Sequence, residues 1–111
     1  MRAVRDAMDV LNGKWKFPLI YVLRVGPLRF NEILKLVEGI TPKMLAKELR
    51  DLEVNGLVER KVFPTVPVLV LYEATGYSDS LNHLLEELGE WGGKHRERIK
   101  QDIRNGATVI H

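Results

Sequence analysis

The stretch ITPKMLAKELRDLEVNG, residues 40 to 56, runs directly into LVERKVF and then, past a turn, into VLVLYEA. That change of period constrains the fold more than any other feature of the chain. Leu45, Leu49 and Leu52 recur at helical spacing. Thr41 suits a helix N-cap, Pro42 suits the first helical position, and Asn55-Gly56 suits the C-terminus. After Gly56 the residues become β-branched and partly alternating, and Pro64-Thr65-Val66-Pro67 separates two such runs. The segment predicts a short capped helix leading into a β-hairpin.

The flanking sequence completes the pattern. Val4, Met8 and Leu11 predict a helix over residues 3 to 11, stopped by Asn12-Gly13. A second helix is expected from Trp15 to Val25, with Pro18 confined to its first turn. Phe30, Ile33, Leu34 and Val37 predict a third, ended by Gly39. Beyond the hairpin, Thr75 or Ser78 is placed to cap a long helix bearing Leu81, Leu84, Leu85, Leu88 and Trp91. Gly92-Gly93 costs that helix roughly 1 kcal/mol per glycine relative to alanine, so a kink or break is expected there. Four helices, a hairpin and a last helix make a mainly α chain with a small β-hairpin (α+β), the order of a winged helix-turn-helix.

At 111 residues the chain suits one domain, and 45% hydrophobic residues suffice for a core. The net charge of +2 is too small to argue nucleic-acid binding from global charge, although the pI is about 9.0. Zero cysteines exclude a disulfide framework, a cysteine zinc site and a thiol sensor. No apolar run approaches the ~20 residues that span a bilayer. MRAVRDAMDVLNG has no continuous apolar stretch, so no signal peptide, no membrane partner and a cytoplasmic chain are expected.

Charge distribution is more informative. With Leu45 at zero and about 100° per residue, Lys43, Lys47 and Arg50 fall near 160°, 200° and 140°, opposite the leucines. Ala46, at about 100°, leaves room for close approach. A solvated face explains this equally well for a helix taken alone. As the second helix of a helix-turn-helix, however, this face meets the major groove. Arg29 and Thr41 are candidates for phosphates, and Arg60 and Lys61 lie on the first hairpin strand. Trp15, between Lys14 and Lys16, is expected in the core. His83, His95 and His111 are too scattered for a metal site, and Glu86, Glu87 and Glu90 suit a solvated face. No nucleophile–base set, phosphate loop or carboxylate pair stands out, so no enzyme and no cofactor are expected.

Gly13-Lys14-Trp15, Arg29-Phe30-Asn31-Glu32, Ile40-Thr41-Pro42 with Met44-Leu45, Leu49-Arg50-Leu52-Glu53, Gly56-Leu57-Val58, and Pro64 with Val66-Pro67 and Tyr72 together resemble the HxlR family of prokaryotic winged-helix transcription regulators. The resemblance covers about residues 8 to 95. It implies a homodimer on operator DNA, joined through the N-terminal and long C-terminal helices. Val4, Met8, Leu11, Leu81, Leu84, Leu85, Leu88 and Trp91 would then form the interface. Three departures matter. The cysteine common near the N-terminus of the family is absent. Where the family usually has a basic residue after the hairpin turn, this chain has Leu69, Val70 and Leu71. The family's Leu-Thr and later Gly beyond the hairpin appear as Ala74-Thr75 and Ser78.

The expectation is one winged-helix domain over residues 1–111, with dimerisation helices at 1–12 and 78–104, acting on double-stranded DNA as a homodimer. The competing reading is a protein-interaction module that uses the apolar hairpin Val66 to Leu71. The sequence names neither an operator nor an effector.

Overall fold

The computed structural model describes residues 1–106. Helices α1 (Arg2–Leu11), α2 (Lys16–Leu23), α3 (Phe30–Leu36) and α4 (Pro42–Val54) precede strands β1 (Val58–Phe63) and β2 (Leu69–Ala74). A 3₁₀ turn (Tyr77–Leu81) then leads into α5 (Asn82–Arg104). Contacts divide the chain into two compact units, Met1–Ser80 and a second beginning at Leu81.

The first unit owns a complete core. Leu19, Ile20 and Leu23 of α2, Ile33 of α3, and Leu45, Leu49 and Leu52 of α4 are essentially inaccessible. Each such side chain contributes ~1.5–3 kcal/mol by leaving water. Pro18 sits in the first turn of α2, where its missing N–H costs no helical bond. Thr41 caps α4 by accepting the Met44 N–H at 3.2 Å, with Pro42 first in the helix. Gly56 (φ +74°) takes the left-handed conformation that turns α4 into β1.

The strands pair antiparallel, from Val58 opposite Ala74 to Phe63 opposite Leu69. Leu28 extends this sheet, exchanging both backbone hydrogen bonds with Tyr72 at 2.8 and 2.9 Å. That third strand is a single residue long, too short to leave a periodic signal. Thr75 closes the hairpin base by donating its hydroxyl to the Gly56 carbonyl at 2.6 Å.

Several expectations need correction. Neither Thr75 nor Ser78 caps α5: Thr75 accepts the Ser78 N–H at 3.3 Å at the start of the 3₁₀ turn, and α5 has no side-chain cap. Leu81 belongs to that turn. Nor does Gly92-Gly93 break α5, which continues for 23 residues. Strong helix formers on both sides sustain cooperative propagation against a local cost of ~2 kcal/mol.

Among the described residues no helix is long and apolar enough to cross a membrane. His111 lies outside the described residues.

Candidate nucleic-acid interface

Helices α3 and α4, joined through residues 37–41, form the helix-turn-helix, and the hairpin forms its wing. Lys43, Lys47 and Arg50 are exposed on α4, and Ala46 is half-buried between them. Lys43 and Arg50 make no ion pair among the described residues. Their charge is therefore open to an approaching anion.

Lys47 differs. Its Nζ lies 3.1 Å from Asp51 Oδ2 and 3.6 Å from Glu48 Oε1. The outer face of α4 is thus not cationic throughout, because Asp51 stands one turn after Lys47 and holds its amine. The hydrogen bond and charge of Asp51 raise the Lys47 pKa above its ordinary value. The hydrogen bond from Lys47 lowers the Asp51 pKa in return. The lysine side therefore stabilises below the ordinary lysine range, and this is lost as pH rises through the raised pKa. The carboxylate side stabilises above the ordinary carboxylate range, and this is lost as pH falls through the lowered pKa. The pair stays intact through neutral pH.

Behind it lies a contact that the sequence reading missed. Lys16 of α2 is buried, and its Nζ donates to Glu48 Oε2 at 2.7 Å and to Asn12 Oδ1 at 3.4 Å. Asp51 Oδ2 is 3.6 Å away. This network ties α4 to α2 across 32 residues of sequence. One signal was available: a lysine inside the apolar helix KFPLIYVL must find a counter-charge. Glu48 sits beside the leucine face of α4, at about −60° from Leu45. Trp15 is only half-buried, with Lys14 Nζ 4.8 Å from its ring centroid.

On α3, Glu32 accepts the Arg29 N–H at 2.8 Å, leaving the Arg29 side chain exposed. Thr41 uses an oxygen lone pair for capping and keeps its O–H to donate. On the wing, Arg60 is exposed, whereas Lys61 lies 2.6 Å from Glu73, whose hydrogen bond raises its pKa. Lys61 is thereby held in its charged form beside a carboxylate, as Lys47 is on α4.

Arg29, Phe30, Lys35 and the loop from Thr65 to Val70 border an open groove of about 640 Å³. The α3 side carries two cations and one carboxylate, Glu32, and the wing side is apolar apart from Thr65.

The sequence fits the model of the HxlR-like helix-turn-helix family over residues 10–100. The chain belongs to this family. An HTH-type transcriptional regulator of Bacillus subtilis, YkvN, is 43% identical over 90 residues, spanning 81% of this chain and 76% of that protein. The redox regulator HypR in its reduced form superposes with a TM-score of 0.83 at 36% identity, covering 89% of this chain and 98% of that one. The reduced form of the regulator YodB from B. subtilis gives 0.74 at 37% identity, covering 82% and 89%. These relatives are transcription regulators with a winged-helix architecture.

The proposed dimer residues separate by exposure. Val4 (61%), Met8 (50%), Leu84 (40%), Leu88 (44%) and Trp91 (66%) are open to solvent. Leu11 and Leu85 are buried within the chain, and Leu81 is half-buried. Each exposed stripe is therefore narrower than its sequence counterpart, on α1 as on α5. The exposed Trp91 stacks on His95 with ring centroids 5.0 Å apart.

Proposed function

We propose that this protein is a cytoplasmic, homodimeric transcription regulator that binds double-stranded operator DNA. The observation that carries this reading is the capped α4, second helix of the helix-turn-helix, with its core face saturated and Lys43 and Arg50 unpaired outside. Lys43, Ala46, Lys47 and Arg50 contact the major groove. Arg29 and Thr41 hold phosphates, and Arg60 is the wing cation left for the backbone. A base-reading Lys or Arg discriminates by ~1–3 kcal/mol per position.

Two copies bring two recognition helices to half-sites one helical turn apart, which is how such regulators read symmetric operators. Exposed Leu84, Leu88 and Trp91 on α5, with Val4 and Met8 on α1, support self-association.

The redox regulation that gives HypR its description does not carry over to thiols here, because the chain has no cysteine. A signal, if sensed, is read by another chemistry.

The test is selection of bound duplexes from a random-sequence pool, then anisotropy titration of the selected DNA at ~50 and ~200 mM salt. Enrichment of a two-fold symmetric site with steep salt dependence is expected. Binding with no sequence enrichment and no salt dependence refutes the reading.

A further inference from the structure

Of the groove between α3 and the wing, the reading above uses Arg29 alone, as a phosphate contact. Its α3 wall presents two exposed cations, Arg29 and Lys35, with Asn31 and Glu32 between them, and Glu32 turns an oxygen to the Arg29 backbone N–H. Its wing wall is Val66, Pro67, Val68 and Leu69. Val66 is fully exposed and Val68 is 63% exposed. The loop is nonetheless ordered from within: Thr65 donates its hydroxyl to the Pro67 carbonyl at 2.7 Å, and its N–H to the Phe63 carbonyl at 2.8 Å. Two valines are thus presented outward on a braced turn that carries no charge.

We propose that this groove seats one sugar–phosphate strand of the DNA. Arg29 and Lys35 take the phosphates on one wall, and Val66 and Val68 pack on the deoxyribose faces from the other. The inference rests on the DNA-binding reading and adds a contact surface to it. Three observations favour this occupant. In a helix-turn-helix the first helix crosses the DNA backbone, and the wall that carries Arg29 and Lys35 belongs to that helix. The groove is open to solvent, as a backbone strand requires, whereas small-molecule sites bury most of their ligand. A DNA strand also alternates anionic phosphates with weakly polar sugar faces, which matches one wall of net positive charge, Arg29 and Lys35 against Glu32, and one apolar wall.

The physical consequence is a wing whose contribution does not depend on salt. Phosphate contacts release counterions, so losing one makes the salt slope shallower by about 0.9. Apolar packing on a sugar releases no counterion, so losing it weakens binding equally at every salt concentration. The apolar tip therefore takes over, by a different force, the place that a basic wing residue fills through charge.

The experiment compares three proteins on the selected duplex at ~50 and ~200 mM salt. The double variant Val66→Ser/Val68→Ser is expected to bind ~10-fold more weakly at both concentrations, with an unchanged slope. Arg29→Gln/Lys35→Gln is expected to bind more weakly with a shallower slope. All four side chains are exposed, so folding is not at risk, and circular dichroism confirms it. Wild-type affinity from the serine variant overturns the proposal, as does a change in its salt slope. If the wild type binds duplex DNA with steep salt dependence while the serine variant matches it, the DNA-binding reading stands and only the groove assignment falls. If the serine variant is unchanged but a short aliphatic carboxylate such as hexanoate competes with DNA at this groove, the site is a small-acid pocket and the strand assignment is wrong.

Discussion

Helices α4 and α5 carry leucine stripes of the same period but end in opposite environments. In α4 the stripe is sealed: Leu45, Leu49 and Leu52 are at most 1% exposed. In α5, which is nearly twice as long, Leu85 is the only buried residue, while Leu84, Leu88 and Trp91 stand 40–66% exposed. An amphipathic pattern therefore says that a face will be covered, without saying by what. The rest of the first unit covers α4. On the proposed reading, a second copy covers α5.

The comparison breaks most visibly at α5. Leu84→Glu with Leu88→Glu should abolish self-association, because it places two charges per protomer on the exposed stripe. Sedimentation should show a dimer for the wild type and a monomer for the variant at ~10 μM. A monomeric wild type at that concentration ends the dimer model.

The sealed helix should instead respond in stability. Lys16→Met removes the cation that Glu48 of α4 is buried against. Breaking one partner of a buried pair costs ~3–5 kcal/mol, whereas Lys16→Met with Glu48→Leu should recover most of that loss. Urea denaturation reads both variants. Equal losses from the single and double changes would mean that packing, rather than the ion pair, holds α4 to α2.

Contacts on the outer face of α4 are individually smaller. Lys47→Ala should weaken operator binding by ~1–3 kcal/mol and relax preference at one base pair per half-site. Lys43→Ala, near the helix start, should weaken all sequences alike and lower the salt slope. Asp51→Asn should act in the opposite direction, releasing Lys47 and tightening binding to random duplex several-fold. Titrations with operator and scrambled DNA separate the three. Wild-type binding by both lysine variants would return this face to the role of a solvated surface.

The smallest expected effect is none. Diamide should leave DNA affinity unchanged, since no thiol is present to oxidise. A loss of binding after oxidation would point to methionine chemistry at Met8 or Met44, which are 50% and 40% exposed.

Local physics made much of this protein legible in its sequence. The bounds of α4 were readable because Thr41, Pro42 and Gly56 act on the backbone beside them. The hairpin was readable because alternation and a proline turn are short-range signals. The position of Lys43 and Arg50 opposite the leucines follows from helical geometry alone. Tertiary structure decided whatever depends on partners distant in sequence. Lys16 became a buried ion rather than a surface cation because Glu48, 32 residues on, meets it inside. Leu11 went into the core while Met8, one turn earlier, stayed outside, a distinction that the stripe cannot make. Asp51 tethered Lys47, and Glu73 took Lys61, because rotamers and cross-strand neighbours settle which charges remain free. The groove exists only because the loop from Thr65 to Val70 folds back beside α3, which ends at Leu36, far earlier in the chain. Periodicity assigns residues to faces, but only the packed chain decides which faces find each other, because burial and charge pairing depend on distances that the linear order does not contain.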